Sequence, residues 1–513
     1  MSGHSTLSRL NPRSRPMARR MLLRGVGWGA LGASAAALLA ACGDPELPEP
    51  PVLAGRAASP PSEPVTPVVA VQERTAQPQP AAPVTIGIPI GNPLFDPVAL
   101  RIAGLAADST QSADAPAELR IVQLEQVRDF DPYHPQEVAA AVEATLPNHP
   151  QLDALLVLDP GIALTLAEGG HLAPVNGPAA SAPGFSADDF LPSAIGPLTA
   201  GGNLFGLPLW MSVNMLRYTP GHFVDAGVNP EDLRDWDWEQ YRETARRLTR
   251  VDAAGQPERW GAFAPPGLMP GHQWIWQNGG SIANLDARRA TLDTTTALEA
   301  VEFLHDLGND GIGPRLEFDS GAVSITISHD SAEMLIQGAP VAMLGAPVGG
   351  LFGGLFGNEL SAGGLLAPPR QQQSASDAMV FGVLSLLSAS DNPDATFRTL
   401  DWIASRIAPV ATVPARGASA AQLQLQGGYS AADAGAVMQA VDSAQALNGP
   451  YAPGIRAAMF HRVDLPIASG QADPAGALAA AQQAIDELLR QSPADALKHA
   501  GEQSESESSE RGS

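Results

Sequence analysis

Few side chains of this 513-residue sequence occur in patterns typical of catalysis. The sequence has no G-x-S-x-G nucleophile motif, no H-E-x-x-H zinc motif and no Gly-Lys-Ser/Thr step of a phosphate-binding loop. Asp129 and Asp131 could form a carboxylate pair, but the prolines that follow are typical of a turn. His272 and His329 could lie near a cleft, although a lone histidine is more often a packed or surface residue. We therefore expect no catalytic residue, no metal site and no cofactor.

The one side chain with a clear covalent chemistry is Cys42, the only cysteine. A basic segment and a weakly apolar run precede it, ending in Leu39-Ala40-Ala41, which is the order of an export signal over residues 1–41. Cys42 resembles the lipidated cysteine of a bacterial lipobox, and the pair Arg19 and Arg20 resembles a twin-arginine export motif. We expect Cys42 to carry a lipid anchor. A plain secretory signal with a chance cysteine is the alternative.

The composition excludes several classes of protein. Acidic residues number 54 and basic residues 30, giving a net charge of −24, and such a surface repels nucleic-acid phosphates. A single cysteine excludes an internal disulfide and a cysteine zinc site. We therefore expect no nucleic-acid partner.

The mature chain begins and ends with segments that lack an apolar period. Residues 42–83 form a linker rich in proline and alanine, which is expected to stay extended. Residues 496–513 read as a disordered tail, because the end of this segment, GEQSESESSERGS, has no apolar side chain to bury.

Between these segments, strand and helix patterns alternate. Apolar runs predict strands at 84–88, 119–122 and 152–158, with helices at 137–146 and 161–167 between them. Strands separated by helices are typical of a parallel sheet in an α/β domain. Further helices are predicted from apolar stripes after Asp237 and at 298–307, 397–403 and 478–490.

A series of short motifs carries a family resemblance. In chain order they are GLP at 206–208, FVDAGV at 223–228, WDW at 236–238, QNGG at 277–280, ATLD at 290–293, QGAPVAM at 337–343 and VPAR at 413–416. Each motif is weak alone, but their shared order resembles the family 1 extracellular solute-binding proteins of bacterial ABC importers, the maltose-binding-like group.

The resemblance implies a two-lobed α/β periplasmic-binding-protein fold, with a ligand cleft between the lobes and chain crossovers at a hinge. The first lobe would comprise residues 84–208 and return at 381–445. The second lobe would comprise residues 209–380 and the C-terminal helices of 446–495. Closure of the hinge around the ligand is the mechanism that such a fold implies.

The same resemblance implies ligand contacts at the strand ends and the hinge. Sugars bind through aromatic stacking and polar hydrogen bonds, and the family's two usual stacking aromatics have no clear match here. Phe352 and Tyr451 are the nearest candidates for those positions. Asp159 could instead cap a helix and Trp210 could instead be packed. The expected ligand-binding residues are Asn92, Asp159, Trp210, Ser212, Trp276, Phe352 and Tyr451.

By resemblance, the protein would be a substrate-binding lipoprotein, not an enzyme. It would be a monomer, exported and held at the outer face of the cell membrane or on the periplasmic side. It would bind a carbohydrate-like small solute and deliver it to ABC permease subunits. Two alternatives remain. One is a degenerate receptor that uses the fold for signalling or scaffolding, and the other is an anchored carbohydrate-active hydrolase.

Overall fold

The computed structural model describes residues 82–89, 96–112, 114–124, 135–157, 159–266, 269–314, 325–327, 334–336, 339–348, 363–407, 413–427 and 429–492. Its strands are β1 (Val84–Pro89), β2 (Leu119–Leu124), β3 (Ala154–Val157), β4 (Thr199–Ala200), β5 (Asn203–Leu204), β6 (Leu207–Tyr218), β7 (Arg250–Val251), β8 (Pro257–Phe263), β9 (Ala283–Asn284), β10 (Arg289–Ala290), β11 (Ile325–Ile327), β12 (Met334–Ile336), β13 (Ala339–Val348), β14 (Gly364–Leu366), β15 (Ser376–Leu386), β16 (Val413–Pro414) and β17 (Ala444–Gln445). Its α-helices are α1 (Asp96–Ser109), α2 (Pro135–Thr145), α3 (Pro160–Glu168), α4 (Asn176–Ser181), α5 (Pro192–Ile195), α6 (Pro220–Asp225), α7 (Trp238–Leu248), α8 (Gly271–Gln277), α9 (Thr295–Asn309), α10 (Pro393–Arg406), α11 (Ala420–Gly427), α12 (Ala431–Asp442), α13 (Ala452–Met459), α14 (Leu465–Ala468) and α15 (Pro474–Arg490).

The first lobe is built on the parallel strands that the apolar runs predict. All six residues of β1 are buried, and the strand lies between β2 and β3, parallel to both. A strand buried on both faces must be apolar throughout, which explains why this stretch reads as a continuous run. The predicted strand at 152–158 is observed as the shorter β3, and the predicted helices beside it are confirmed as α2 and α3.

Two long strands connect the lobes. Strand β6 pairs antiparallel with β15 along its first half and with β13 along its second half, so a single sheet has the order β11-β12-β13-β6-β15-β3-β1-β2. Side chains of β6 up to Met215 pack in one hydrophobic core, and Leu216 packs in the next. The chain therefore passes from one lobe to the other within a strand.

Two separate hydrophobic cores define the lobes. The side chains of the first core come from both the early and the late strands and helices, including Ile86, Leu155, Val383, Phe397 and Val437. The second core is richer in aromatic rings, including Trp236, Tyr241 and Trp274, and it also contains Val301 and Ile485. Each core is assembled from stretches far apart in sequence, so neither lobe is a continuous segment.

Local signals position the helices of the second lobe. Asp237 caps α7 in a capping box, with its Oδ1 accepting from the Gln240 backbone N at 2.8 Å. The indoles on either side of Asp237 are structural. Trp236 Nε1 donates to the Ala367 carbonyl at 3.0 Å, and Trp238 Nε1 donates to Gln277 Oε1 at 2.8 Å. Among the helices of the described ranges, none combines the length and apolar character that a bilayer span requires.

Candidate functional site

Several predicted residues lie outside the described part of the chain. They are Arg19, Arg20, Cys42, Asn92, Asp129, Asp131, His329 and Phe352. Of the predicted ligand contacts, the structure places Asp159, Trp210, Ser212, Trp276 and Tyr451.

Asp159 lies between β3 and α3, where the first lobe ends its third strand. Its Oδ1 accepts a hydrogen bond from the Gly161 backbone N at 2.7 Å, and Pro160 occupies the first helical position. Both features are those of a helix N-terminus, so the capping contact foreseen for this side chain is present. A capping carboxylate still has acceptor sites left, because its two oxygens offer about four lone-pair directions.

Trp210 and Ser212 lie on β6 and are both buried. Trp210 is 3% exposed, and its ring packs in the first core beneath Gly382, where an added Cβ would lie 3.2 Å from the ring. Ser212 is 1% exposed and pairs with Met379 of β15. In this arrangement neither side chain is accessible to a ligand.

Trp276 lies on α8, a short helix whose residues are all buried. The segment before β15 wraps this helix, because Gln277 Nε2 donates to the Ala375 carbonyl at 2.9 Å and Gln373 Nε2 donates to the Trp276 carbonyl at 2.7 Å. The Trp276 ring meets His272 edge to face, with ring centroids 4.8 Å apart. Helix α8 thus places the Trp276 indole and the His272 imidazole side by side.

A cluster of charged side chains forms where the two lobes meet, and we call Asp159, His272, Asp377 and Arg456 the junction cluster. Arg456 Nη1 lies 2.7 Å from Asp377 Oδ2, and His272 Nε2 lies 3.0 Å from Asp377 Oδ1. Gln273 Oε1 accepts from the Asp377 backbone N at 2.9 Å. Arg456 also acts electrostatically on Asp159 of the first lobe. The Arg456 guanidinium of the second lobe therefore interacts both with Asp377 of β15 and with Asp159 of the first lobe.

Burial controls the protonation of this cluster. It raises the pKa of Asp159, although Arg456 and the Gly161 backbone N oppose the rise. It lowers the pKa of His272 despite the nearby Asp377 carboxylate. Burial alone would raise the pKa of Asp377, but Arg456 and His272 together hold it below its ordinary value. The cluster therefore combines a neutral imidazole with an ionised Asp377–Arg456 pair at neutral pH.

Tyr451 lies directly before α13, a helix of the second lobe that contacts the first lobe. The phenol is 8% exposed, and its Oη donates to the Gln491 carbonyl at 2.7 Å. Two residues later, Pro453 packs on Gly161 so closely that a Cβ on the glycine would lie 2.4 Å from the proline ring. Helices α13 and α3 therefore meet directly.

The structure thus brings Asp159 and Trp276 to the junction cluster, with Tyr451 on the helix that supplies Arg456. Arg456 and Asp377 were not singled out from the sequence. The sequence holds a signal for each, because Arg456 is the one charged residue of α13 and Asp377 is the one charged residue of β15, a strand of otherwise apolar and small residues. In the part of the chain that the structure describes, no group of three or more His, Cys, Asp or Glu side chains could hold a metal ion.

Acidification is expected to destabilise the protein through His272. Because the folded pKa of His272 lies below its ordinary value of about 6.5, the unfolded chain takes up the proton first as pH falls. The stability from the neutral ring is present above about pH 6.5 and is lost as pH falls through the folded pKa. Asp159, with its raised pKa, acts in the opposite direction and gains stability as pH falls.

Urea unfolding of the wild type and of His272→Gln, between about pH 8 and pH 5, separates the two contributions. The variant should lose less free energy of unfolding than the wild type over this range, since Asp159 is common to both. Equal losses would show that His272 does not carry this pH dependence.

No protein-family model and no curated protein matches this chain. Its structure is similar to that of an ABC substrate-binding protein from Listeria monocytogenes in complex with cycloalternan, at a TM-score of 0.60 and 18% identity, over 79% of this chain and 98% of the other. It is also similar to a cyclic alpha-maltosyl-1,6-maltose binding protein from Arthrobacter globiformis, at a TM-score of 0.60 and 16% identity, over 80% and 99%. A third similar structure is the sugar-binding protein MalE from Xanthomonas citri, at a TM-score of 0.60 and 14% identity, over 80% and 98%.

Each of these chains is matched over nearly its whole length, with both lobes included. Their likeness agrees with the two cores, the connecting strands and the junction between the lobes. The chain therefore has the two-lobed periplasmic-binding-protein fold.

Proposed function

We propose that this protein is a solute receptor that binds a carbohydrate-like molecule between its lobes and delivers it to an ABC permease. The observation that carries the proposal is the junction of the lobes, where Trp276 and His272 lie beside the charges of Asp377, Arg456 and Asp159. Aromatic rings suit the apolar faces of a sugar, and charged groups suit its hydroxyl rim.

The similar structures support this class of ligand. The similar structure from Listeria monocytogenes is in complex with cycloalternan, the one from Arthrobacter globiformis is a cyclic alpha-maltosyl-1,6-maltose binding protein, and a similar solute-binding protein from Thermotoga lettingae is bound with alpha-D-tagatose. Because these three ligands differ, we propose the class of solute and not a single sugar. In this scheme the protein has no catalytic step, and closure of the lobes is its function.

Two groups of ligand contacts follow from the positions of the side chains. Asp159, Trp276 and Tyr451 belong to elements that meet at the lobe junction, so we propose them as contacts of the closed form. Trp210 and Ser212 are buried on β6 in this arrangement and stay in the proposed set from the sequence. Asn92 and Phe352 complete the proposed set from the sequence.

Thermal unfolding against a panel of sugars tests the proposal. The panel contains linear and cyclic glucosaccharides, monosaccharides and polyols, with amino acids and peptides as matched non-sugar compounds. A ligand at about ten times its Kd adds roughly 1.4 kcal/mol of stability, which raises Tm measurably. A saturable rise with one sugar class is the expected result. A rise with amino acids or peptides alone would contradict a carbohydrate receptor.

One observation favours a second function, in which the fold acts as a signalling or scaffold receptor without a solute. The junction side chains already contact one another, and Trp210, Ser212, Trp276 and Tyr451 are each less than 9% exposed. A site filled by its own side chains needs no ligand to be stable. This alternative predicts that no compound in the panel shifts Tm and that small-angle scattering is unchanged by all of them.

We further propose that the protein is exported by the twin-arginine route, anchored through a lipid on Cys42, and monomeric. The supporting features are Arg19 and Arg20, the small residues before Cys42, and the proline-rich linker that would hold the lobes away from the membrane.

The Cys42→Ser variant is expected to appear in the soluble fraction of a bacterial host, while the wild type sediments with membranes. A lipid supplies about 0.8 kcal/mol of membrane affinity per buried CH₂ group, so its loss should release nearly all of the protein. The exported domain is otherwise unchanged, which detergent extraction and the Tm of both forms would verify. Membrane retention of the variant would contradict the anchor.

A further inference from the structure

Asparagine is followed by glycine at three places in the sequence, at Asn176, Asn278 and Asn448. At such a step the backbone N of the glycine can attack the side-chain carbonyl of the asparagine, because glycine has no Cβ to hinder the approach. The attack requires a side-chain amide and a backbone N–H that are not held by other partners. The local sequence therefore offers three steps for this reaction, and the fold determines which of them can react.

The step at Asn278 is closed to this reaction by burial and by hydrogen bonds. Asn278 is 2% exposed, and its Nδ2 donates to the Thr296 carbonyl at 3.0 Å and to Glu299 Oε2 at 2.9 Å. The attacking atom is held as well, since the Gly279 backbone N donates to the Trp276 carbonyl at 2.9 Å. Reaction at this step requires local unfolding.

The step at Asn176 is exposed, but both ends of its side-chain amide are bound. Asn176 is the first residue of α4, and its Nδ2 donates to the Gly202 carbonyl at 3.2 Å. Its Oδ1 accepts from the Leu204 backbone N at 2.8 Å. The side chain cannot turn back to the Gly177 backbone N until both hydrogen bonds have opened.

The step at Asn448 has no such restraint. Asn448 is exposed, and among the described residues neither its side chain nor the Gly449 backbone N has a hydrogen-bond partner. The two residues lie between β17 and α13, outside any helix or strand. Gly449 has a φ of 82°, a left-handed conformation that glycine adopts without strain. The amide and the backbone N can therefore meet without the loss of a native hydrogen bond.

Asn448 lies where the chain crosses from the first lobe to the second. Ala446 packs against the first core, and Leu447 packs against the second. Helix α13, which bears Arg456 of the junction cluster, begins at Ala452. A covalent change at Asn448 therefore falls on the connection that leads into the junction cluster.

We propose that Asn448 is a site of spontaneous deamidation, which converts it to aspartate and isoaspartate. The Gly449 backbone N forms a bond to Asn448 Cγ, the Cγ–Nδ2 bond breaks, and ammonia leaves with the proton of the glycine N–H. Water then opens the succinimide ring at either carbonyl, and each product carries a carboxylate in place of the amide. Isoaspartate also adds one atom to the main chain between the lobes. The reaction does not depend on the proposed solute-binding function.

Asn176 is a matched comparison within the same protein, because both Asn176 and Asn448 are followed by Gly-Pro. The intact protein is incubated folded in mildly alkaline buffer and then cleaved after arginine, which places the three steps in different peptides. Mass spectrometry measures the conversion of each amide. Asn448 is expected to react at least about tenfold faster than Asn176 and Asn278, whose hydrogen bonds must open first. An isoaspartyl methyltransferase should label the Asn448 peptide.

Two controls assign the difference to the fold and the reaction to this amide. In concentrated urea, Asn176 and Asn448 should react at similar rates, because the hydrogen bonds that protect Asn176 are lost. Asn448→Gln places the amide one carbon further from the Gly449 backbone N, so conversion of that peptide should disappear.

Three results would overturn the proposal. The first is equal conversion of Asn176 and Asn448 in the folded protein. The second is an Asn448 that stays intact in the folded protein while the chain in urea reacts. The third is a mass gain that persists in the same peptide of Asn448→Gln.

Discussion

Asp377→Asn is expected to lower the free energy of unfolding by about 3 kcal/mol, since removing one partner of a buried ion pair leaves the other charge poorly compensated. Asp377 is 2% exposed, and its carboxylate lies between Arg456 Nη1 at 2.7 Å and His272 Nε2 at 3.0 Å. Asparagine has nearly the same shape, so the loss reports the charge and not a cavity. Urea unfolding at neutral pH measures the change.

The matched control is Asp293→Asn, which breaks an ion pair at the surface. Arg289 Nη2 lies 3.6 Å from Asp293 Oδ1, and both side chains are more than half exposed. Solvent screens such a pair, so its loss should cost less than about 1 kcal/mol. Similar small losses in both variants would show that the junction cluster does not stabilise the lobes.

A double variant separates the pair from the rest of the cluster. Combining Asp377→Asn with Arg456→Met removes both charges, and a buried pair replaced on both sides is often close to neutral in stability. We expect the double variant to recover at least half of the loss seen with Asp377→Asn alone. Additive losses would mean that the two residues act independently.

Gly161→Ala is expected to weaken ligand binding about 30-fold, because it opposes contact between the lobes. The added Cβ would lie 2.4 Å from the Pro453 ring, and proline has little freedom to move aside. Overpacking of this kind costs roughly 2 kcal/mol, which is paid in the closed form and relieved when α13 moves away from α3. Such a penalty on the closed form reduces the affinity for any ligand that requires closure.

Isothermal titration of the sugar found in the thermal panel measures this effect, and small-angle scattering without ligand measures the opening itself. Gly177→Ala is the control, since Gly177 also lies in a first-lobe helix but has no atom of the described residues within 4 Å of its Cβ position. An unchanged affinity with a normal scattering curve in Gly161→Ala would contradict direct closure of α13 on α3. If the panel yields no ligand, the scattering measurement alone still decides whether Gly161→Ala opens the contact between α13 and α3.

Local structure could be predicted from local sequence. The run predicted as a strand at 84–88 is β1, the helix predicted after Asp237 is α7, and the stripe at 478–490 lies in α15. These elements depend on the spacing of apolar residues and on side chains that bond to their own backbone nearby. Such interactions act between residues a few positions apart, so they can be predicted from the sequence without knowledge of the tertiary structure.

The candidate site could be predicted only in part. Asp159 and Trp276 were expected near a ligand, and both belong to elements at the lobe junction. Asp159 also caps a helix, which was the alternative interpretation of this side chain. Trp210 was expected beside the hinge, and the structure buries its ring in the first core. A tryptophan that follows a hinge proline has the same local sequence whether it faces a cleft or a core, so only packing distinguishes the two.

By itself, the sequence predicted the type and order of several strands and helices, and the export signal and lipid anchor of the N-terminus remain predictions from it. Tertiary structure alone decided that Arg456, Asp377 and His272 would meet, because these residues are separated by 79 and by about a hundred positions along the chain. Contacts of this kind arise when distant segments are packed around shared cores, and no local pattern encodes the distance between them.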